Sequence, residues 1–318
     1  MSRRGRAVAI EGAAVIGVAV LLDAALGEPP ARLHPVVWLG SLADVAVRQA
    51  PRGRFVQLVY GSALALGLPA LAAATALGVT AAGRRLSPPA RVLALGVALK
   101  PCFAIRALLR AGAEVESALA AGEIEAARRH LRSLVSRDIA ELSEGLIAAA
   151  AIESLAENLT DSVTAPLFAF ALFGLPGACA YRAINTLDSM IGYRGRYEWL
   201  GKCAARLDDL VNLLPARVTA LLIAAAAPLA GGSTRRALRV SLRDRSRTAS
   251  PNAGWTIAAM AGALGVRLEK RGHYLLNANG SEPGALEIDR ARRVATGGAA
   301  AGVIAAALLA EVAARVRR

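Results

Sequence analysis

The first part of the chain that could do chemistry is a stretch with several carboxylates and no cations in its sequence. Residues 138–181 contain six acidic residues and no Lys or Arg, although the chain as a whole carries a formal charge of +14. Glu153, Glu157 and Asp161 recur every four residues and so share one face of a helix. Like charges at this spacing repel, and Mg²⁺ would compensate them because it prefers carboxylate oxygens. A solvated acidic face is the alternative interpretation, and the neighbouring Asn158 favours a site.

A second polar cluster follows directly after an apolar segment. Asn185, Asp188 and Ser189 share a helical face there. Polar groups in or beside a membrane segment usually have a function. The alternative is that these side chains cap a helix end.

A third cluster lies within residues 206–217. Asp208 and Asn212 are one helical turn apart, and Arg206 is three residues before Asp209. A helical ion pair at a membrane boundary, worth a few tenths of a kcal/mol, explains this spacing equally well.

A stripe of arginines recurs every four residues between 235 and 247, and the turn-forming sequence 250–255 follows it. Guanidinium groups bind phosphate in bidentate fashion, so a nucleotide or a phosphorylated substrate would suit the stripe. Anionic lipid headgroups would suit it equally, and a segment that leaves a membrane helix favours the lipid interpretation.

The composition indicates which kind of fold positions these clusters. Of 318 residues, 55% are apolar, 19% are charged and 4% are aromatic, which favours helices in a membrane over a β-rich or disordered chain. The three cysteines form no CxxC pair, which argues against a disulfide framework and a zinc site. No basic stretch is interleaved with aromatic residues, so we expect no nucleic-acid partner.

Long uncharged runs predict the membrane segments. The best runs are 55–83, 162–181, 218–234 and 294–310, and 7–27 is an imperfect one, with a signal peptide as its alternative. We therefore predict an all-α, multi-pass helical membrane protein with about four to five membrane segments. Its 318 residues would form a single integral-membrane domain with extramembrane helical insertions. Residues 84–161 would be a mostly extramembrane helical insert, and 235–293 a polar loop and helical region.

The distribution of basic residues predicts the orientation in the membrane. With five spans, the side that holds the N-terminus, 84–161 and 235–293 carries 25 Lys and Arg, against 13 on the other side. The positive-inside tendency makes the first side cytoplasmic. A single crossing by 162–181 would separate Glu157 from Asp188. Because that run contains two prolines and two glycines, we favour a re-entrant segment over a single crossing. Re-entry would place 235–293 on the opposite side unless another segment compensates.

Five strings in order along the chain resemble the adenosylcobinamide-phosphate synthase (CobD/CbiB) family of cobalamin biosynthesis. They are LLDAALGEPPARLHPVVWLG (21–40), AENLTDSVTAPLF (156–168), PGACAYRAINTLDSMIGYR (176–194), ARLDDLVNLLPARVTALL (205–222) and SPNAGWTIAAMAGALGVRL (250–268). The pair at 159–160 departs from the more polar pattern expected there, and this departure leaves Asp161 unaffected.

The resemblance implies a multi-pass enzyme of the cell membrane whose active site faces the cytoplasm. Such an enzyme would use ATP, and we expect Mg²⁺, to join an amine to a propionate carboxylate of adenosylcobyric acid, giving adenosylcobinamide phosphate. The amine would come from (R)-1-amino-2-propanol phosphate or ethanolamine phosphate. The implied partners are the corrinoid, the amino alcohol phosphate and the lipid bilayer. A homo-oligomer, or a complex with other enzymes of the cobalamin pathway, is also implied.

The resemblance also implies a set of site residues, carried over string by string. The catalytic candidates are Glu153, Glu157, Asp161, Asn185, Asp188, Asp208 and Asp209. The candidates for binding substrate or phosphate are Asp23, His34, Asn158, Ser189, Arg194, Arg206, Asn212, Ser250 and Asn252. The candidate Mg²⁺ ligands are Glu157, Asp161 and Asp188.

Two other classes of function are compatible with the sequence. A secondary transporter would explain broken apolar segments with polar residues at their ends. A non-enzymatic membrane scaffold would tolerate alanine in the polar clusters, whereas an enzyme would not.

Overall fold

The structure is a computed structural model that describes residues 3–135, 139–193 and 195–316, with side chains from residue 11 onward. Helices hold 77% of the chain, and the described residues contain one small two-stranded hairpin. Among the described residues, five continuous helical segments are long and apolar enough to cross a membrane. The prediction of an all-α, multi-pass membrane protein is therefore confirmed.

The helices, in chain order, are α1 (Arg3–Leu26), α2 (Pro35–Arg48), α3 (Arg54–Gly83), α4 (Pro88–Leu99), α5 (Ile105–Ala120), α6 (Ile124–Leu131), α7 (Glu144–Leu159), α8 (Ala165–Ile191), α9 (Lys202–Val211), α10 (Leu213–Ala226), α11 (Thr234–Asp244), α12 (Ala253–Leu264) and α13 (Ala285–Val316). Shorter 3₁₀ turns are Ala31–Leu33, Lys100–Cys102 and Ala227–Ala230, and Thr160–Thr164 is a π-helical turn. The hairpin consists of β1 (Leu268–Lys270) and β2 (Tyr274–Leu276), paired antiparallel.

Among the described residues, the five candidate membrane spans are Arg54–Gly83, Pro88–Ala120, Glu144–Ile191, Leu213–Ala230 and Ala285–Val316. Three of the predicted uncharged runs lie within these spans, and the run 218–234 overlaps Leu213–Ala230 but extends beyond it. The imperfect run 7–27 forms most of α1.

Residues 88–120, which belong to the predicted extramembrane insert, form one of the candidate membrane spans. The most apolar part is α4, which carries no charged residue after Arg91, and the apolar stretch continues past Lys100 toward α5. Charged residues come at shorter intervals in α5. The position of 84–161 relative to the membrane stays a prediction, because length and composition alone do not place a helix in lipid.

The contacts divide the chain into two compact units, each discontinuous in sequence. Unit 1 comprises Met1–Ala104, Ala165–Val211 and Val303–Arg318, and unit 2 comprises Ile105–Thr164 and Asn212–Gly302. In unit 1, a core cluster joins α2, α3, α8 and α9 through Ala43, Leu68, Leu187 and Ala204. In unit 2, almost every residue of α12 is buried, as its apolar character on all sides requires.

Helix α8 is broken inside its apolar run. Gly174 has φ 69° and ψ −164°, a conformation that is essentially restricted to glycine. Pro176 follows it and cannot donate a backbone hydrogen bond. The break therefore separates residues 165–173 from 175–191, in the segment where the sequence predicts an interrupted span.

Candidate functional site

A cavity of about 890 Å³ lies within unit 1. Its walls come from the α1–α2 connection, α2, α3, the end of α4 and the second half of α8, and most lining side chains are apolar. Three charged side chains also line it: Glu28, Lys100 and Arg182. A mostly apolar cavity with a few polar groups is the usual form of a small-molecule site.

A buried lysine links the first two residues predicted from the opening string. Lys100, only 6% exposed, places Nζ 3.0 Å from Oδ1 of Asp23 and 2.6 Å from Oε1 of Glu28. The other oxygen of Glu28 lies 2.9 Å from Nε2 of His34. His34 Nδ1 accepts a hydrogen bond from the backbone N–H of Val36 and so caps α2, which leaves the ring proton on Nε2 to be donated to Glu28. Asp23 and His34 are thus brought into one network.

The second and third strings meet through a hydrogen bond between α8 and α9. Asn185 is buried, and its Nδ2 donates to Oδ1 of Asp208 at 3.4 Å. Arg182 Nη1 donates to Oδ1 of Asn185 at 3.3 Å. Ser189 Oγ donates to the backbone oxygen of Asn185 at 2.8 Å. Because Arg182 also lines the cavity, this chain of hydrogen bonds connects the predicted residues to the cavity wall.

The other predicted residues of unit 1 lie near this chain in sequence. Asp188 is half-buried, and a side chain at Gly192 would collide with it, since a Cβ there would lie 2.0 Å from Asp188 Oδ1. Asp209 forms an ion pair of 3.8 Å with Arg206, whose side chain is largely exposed, so the pair contributes little to stability. Arg194 lies outside the described residues.

The acidic residues that were predicted to share a helical face lie in unit 2, on α7 and in the π-helical turn that follows it. Glu153 is buried, whereas Glu157 is exposed and Asp161 is half-buried. Asn158 donates from Nδ2 to the backbone oxygen and the hydroxyl of Ser154, at 3.0 and 3.1 Å. The helix then widens into the π-helical turn at 160–164, a feature that is frequent at functional sites.

The predicted metal ligands belong to both units. Glu157 and Asp161 lie in unit 2, and Asp188 lies in unit 1. Among the residues that the structure describes, no group of three or more His, Cys, Asp or Glu side chains could hold a metal ion. The binding of Mg²⁺ by these three carboxylates therefore stays a prediction.

A second polar site in unit 2 contains the residues predicted from the last string. Ser250 Oγ accepts from the backbone N–H groups of Asn252 and Ala253, at 3.2 and 3.4 Å, and so orders the start of α12. Asn252 Oδ1 accepts a hydrogen bond of 2.6 Å from Nη1 of Arg217. Asn212, the last candidate, is buried at the start of α10.

The arginines of the stripe have different partners in the structure. Arg236 donates to the backbone oxygens at the end of α12, at 2.7 and 3.3 Å. Arg243 binds both oxygens of Asp244, and Arg247 lies 3.1 Å from the same carboxylate. Burial alone would raise the pKa of Asp244, but the hydrogen bonds from Arg243 and from the backbone N–H of Asn277, together with the two nearby cations, hold that pKa below its ordinary value. These contacts show that part of the stripe is structural.

Comparison with known proteins identifies the family of the chain. A profile of the family described as CobD/Cbib protein matches residues 16–297. The chain belongs to the CobD/Cbib family. The matched region contains every predicted site residue, from Asp23 in unit 1 to Asn252 in unit 2.

Curated relatives with names from the same family are similar in sequence to this chain over most of their length. A cobalamin biosynthesis protein CobD of Dehalococcoides mccartyi is 41% identical over 81% of this chain and 84% of its own. A probable cobalamin biosynthesis protein CobD of Methanothermobacter thermautotrophicus is 44% identical over 82% and 86%. A cobalamin biosynthesis protein CobD of Rhodobacter capsulatus is 44% identical over 80% and 81%. No solved structure matches the chain.

The structure adds four residues of the CobD/Cbib chain that sequence reasoning missed. These are Glu28, Lys100, Arg182 and Arg217. Lys100 did carry a signal, since it is one of only three lysines and ends the uncharged run 92–99. Glu28, Arg182 and Arg217 fall inside the strings that carry the resemblance, but isolated charges at the end of apolar runs look like ordinary membrane boundaries.

Proposed function

We propose that this CobD/Cbib-family protein is an ATP-dependent amide ligase of cobalamin biosynthesis. It attaches (R)-1-amino-2-propanol phosphate or ethanolamine phosphate to a propionate carboxylate of adenosylcobyric acid, giving adenosylcobinamide phosphate. The observation that carries the proposal is the family match over residues 16–297, together with relatives whose names refer to cobalamin biosynthesis.

The proposed reaction would consume ATP. A carboxylate is a poor electrophile, so an amine does not attack it readily in water. In the proposed reaction a carboxylate oxygen takes the γ-phosphoryl group of ATP and ADP leaves. The amine then attacks the acyl carbon, loses a proton and expels inorganic phosphate. Mg²⁺ would supply charge neutralisation at the phosphates.

The cavity in unit 1 supports binding of an amphipathic ligand with carboxylate groups. Its apolar lining would exclude water from a large organic substrate. Arg182, oriented by Asn185, would pair with a carboxylate, since guanidinium–carboxylate hydrogen bonds are charge-assisted. Asp208 holds the other end of Asn185 and would fix this orientation.

The carboxylates on the helix faces supply candidates for metal binding and proton transfer. Mg²⁺ that is bound with substrate phosphates commonly needs only one or two protein carboxylates. Glu157 and Asp161, one turn apart and accessible, fit that requirement, as does the half-buried Asp188. A carboxylate is also a suitable base for the proton that the substrate's ammonium group must lose before the neutral amine can attack.

The test is a turnover assay on the purified full-length protein in detergent with added lipid. Adenosylcobyric acid, each amino alcohol phosphate in turn and Mg-ATP are supplied, and mass spectrometry follows the amide and ADP. We expect product only when all three are present. Folded protein that forms no amide with either amine would refute the ligase proposal.

Two variants test the assigned residues in the same assay. Asp188→Ala and Glu157→Ala should each lower turnover by about 100-fold or more, the lower end of the contribution of acid–base groups. The matched control is Glu198→Ala, which removes a carboxylate from an exposed ion pair with Lys202. Near-normal activity of either variant, with normal membrane insertion, would remove that residue from the site.

Transport is the second candidate function, and the break of α8 at Gly174 favours it. Interrupted helices form the binding sites of many secondary transporters. Uptake of labelled adenosylcobyric acid into proteoliposomes without amide formation would support transport over ligation.

A further inference from the structure

Two arginines of unit 2 lie against the same indole ring. The guanidinium carbon of Arg217 is 5.0 Å from the ring centre of Trp255, and that of Arg245 is 4.6 Å from it. Arg217 comes from α10, Arg245 follows α11, and Trp255 lies in the first turn of α12. Three separate elements therefore bring two positive charges to one aromatic side chain.

The hydrogen-bond partners of the Arg217 guanidinium are neutral. Arg217 donates to the backbone oxygens of Leu213 and Pro251, at 2.8 and 3.3 Å, and to the amide oxygen of Asn252. Among the described residues, neither Arg217 nor Arg245 forms an ion pair with a carboxylate.

The nearest acid in sequence is already committed to other partners. Asp244 precedes Arg245 directly but is 1% exposed and binds Arg243, Arg247 and the backbone N–H of Asn277. It therefore leaves the positive charge of Arg245 uncompensated.

The backbone around the pair adds further positive potential. The 12-residue helix α12 begins two residues before Trp255, so the positive end of its dipole lies beside the guanidinium groups. The chain after Arg245 packs closely here, since a Cβ at Gly254 would lie 2.0 Å from the Arg245 backbone oxygen. Two like charges held together in this way repel each other unless an anion lies between or beside them.

We propose that Arg217 and Arg245, with Trp255 as their platform, form a phosphate-binding site. Planar guanidinium groups present paired N–H donors that match phosphate oxygens, and stacking on an indole holds them in fixed orientations. The ligand is a phosphate ester, and its assignment to the phosphomonoester of the amino alcohol phosphate rests on the proposed ligase function. The phosphodiester of an anionic lipid headgroup is the other source of phosphate oxygens.

Trp255 itself reports on the site. The chain has three tryptophans, so the double substitution Trp38→Phe and Trp199→Phe leaves Trp255 as the only one. Ethanolamine phosphate (phosphoethanolamine) is titrated into this full-length protein in detergent while Trp255 emission is recorded. We expect a saturable change in emission, and an apparent Kd raised about tenfold or more by Arg217→Gln or Arg245→Gln, the loss of one charge-assisted contact.

Arg271→Gln is the matched control, because it removes the same charge from an exposed turn of unit 2. Its Kd should change less than about twofold, as expected for a surface charge. A titration without saturation, or one that Arg271→Gln weakens as much as the other two variants do, would overturn the site.

The source of the phosphate is decided in lipid nanodiscs. If phosphatidylglycerol changes Trp255 emission and prevents the response to phosphoethanolamine, the site holds headgroup phosphate; if the titration is unchanged, it holds the soluble phosphomonoester. Amide formation is measured separately with the native protein, because Trp38 lines the cavity of unit 1. Product without any arginine-dependent response refutes this site alone, whereas a response without product refutes the ligase and leaves the phosphate site standing.

Discussion

Lys100 shows at the residue scale how a buried charge can hold a site together. Its ammonium lies between Asp23, which is 2% exposed, and Glu28, and through Glu28 it reaches His34. Burying a cation with a carboxylate, here Lys100 with Asp23, is favourable only while both are paired and hydrogen-bonded. Removing the cation would leave buried negative charge beside the cavity.

We predict that Lys100→Met lowers the free energy of unfolding by about 3–5 kcal/mol, the usual cost of breaking a buried ion pair from one side. Denaturant titration of the detergent-solubilised protein measures this loss. Lys202→Met is the control, because Lys202 pairs with Glu198 at the surface and its loss should cost about 1 kcal/mol or less. Equal stability of the two variants would contradict the role given to Lys100.

Sequence reasoning located residues in polar strings better than residues in apolar surroundings. Asn185 and Asp208 were predicted from their strings, and the structure joins them by a hydrogen bond. Arg182 and Lys100 were not predicted, because a single cation beside an apolar run has no helical partner to reveal its role. Their function depends on side chains that lie far away in sequence, such as Asp23 for Lys100.

At the scale of elements, α8 depends on one residue for its shape. The sequence predicted an interruption from two prolines and two glycines in 162–181, but it could not say which residue breaks the helix. The structure places the break at Gly174, where φ is positive, rather than at Pro166, which lies in the first turn of α8 and is tolerated there.

We predict that Gly174→Ala destabilises the protein by about 1–3 kcal/mol, the cost of forcing an L-residue into this backbone region. Gly78→Ala in α3 is a control that we expect to stabilise the protein. No atom lies within 4 Å of a Cβ at that position, and alanine in a helix interior is favoured by about 0.5–1 kcal/mol over glycine. Thermal unfolding of both variants in the same detergent tests the contrast, and a stabilised Gly174→Ala protein would disprove the strained break.

Asp244, the last residue of α11, accepts a hydrogen bond from the backbone N–H of Asn277, directly after the hairpin. The stability that this carboxylate contributes should depend on pH. Burial works against its charge, but Arg243 and the other donors outweigh burial and keep its pKa below the ordinary value near 3.9. A lowered folded pKa means that the stabilisation is fully present above about pH 4 and is lost as the pH falls through the folded pKa.

We therefore expect the native protein to unfold at a higher temperature than Asp244→Asn at pH 7, with the difference shrinking below about pH 4. The two proteins are compared by thermal unfolding between pH 3 and pH 7. A difference that is constant over this range would show that the charge of Asp244 does not stabilise the fold.

At the scale of the whole molecule, composition and uncharged runs sufficed for the fold class, since three of the predicted runs lie within candidate membrane spans and a fourth overlaps one. The division into two units was beyond sequence reasoning. Each unit combines distant segments, as in unit 2, where 105–164 joins 212–302, and such pairings depend on long-range packing rather than on local periodicity. The family strings indicated the family, whose profile matches residues 16–297.

The distribution of basic residues predicts the orientation of the chain in the membrane. That orientation determines whether the polar region 235–293 faces the cytoplasm, where ATP is available. Because basic loops stay in the cytoplasm, we predict that this region, with 12 Lys and Arg, faces inward. In a protein whose three cysteines are replaced by serine, Ser246→Cys at an exposed position should react with an impermeant maleimide in inside-out vesicles and not in right-side-out cells. Ala259→Cys, at a fully buried position of α12, is the control and should react in neither. Labelling of Ser246→Cys from outside the cell would reverse the orientation and would place the arginine stripe away from the nucleotide that the proposed ligase needs.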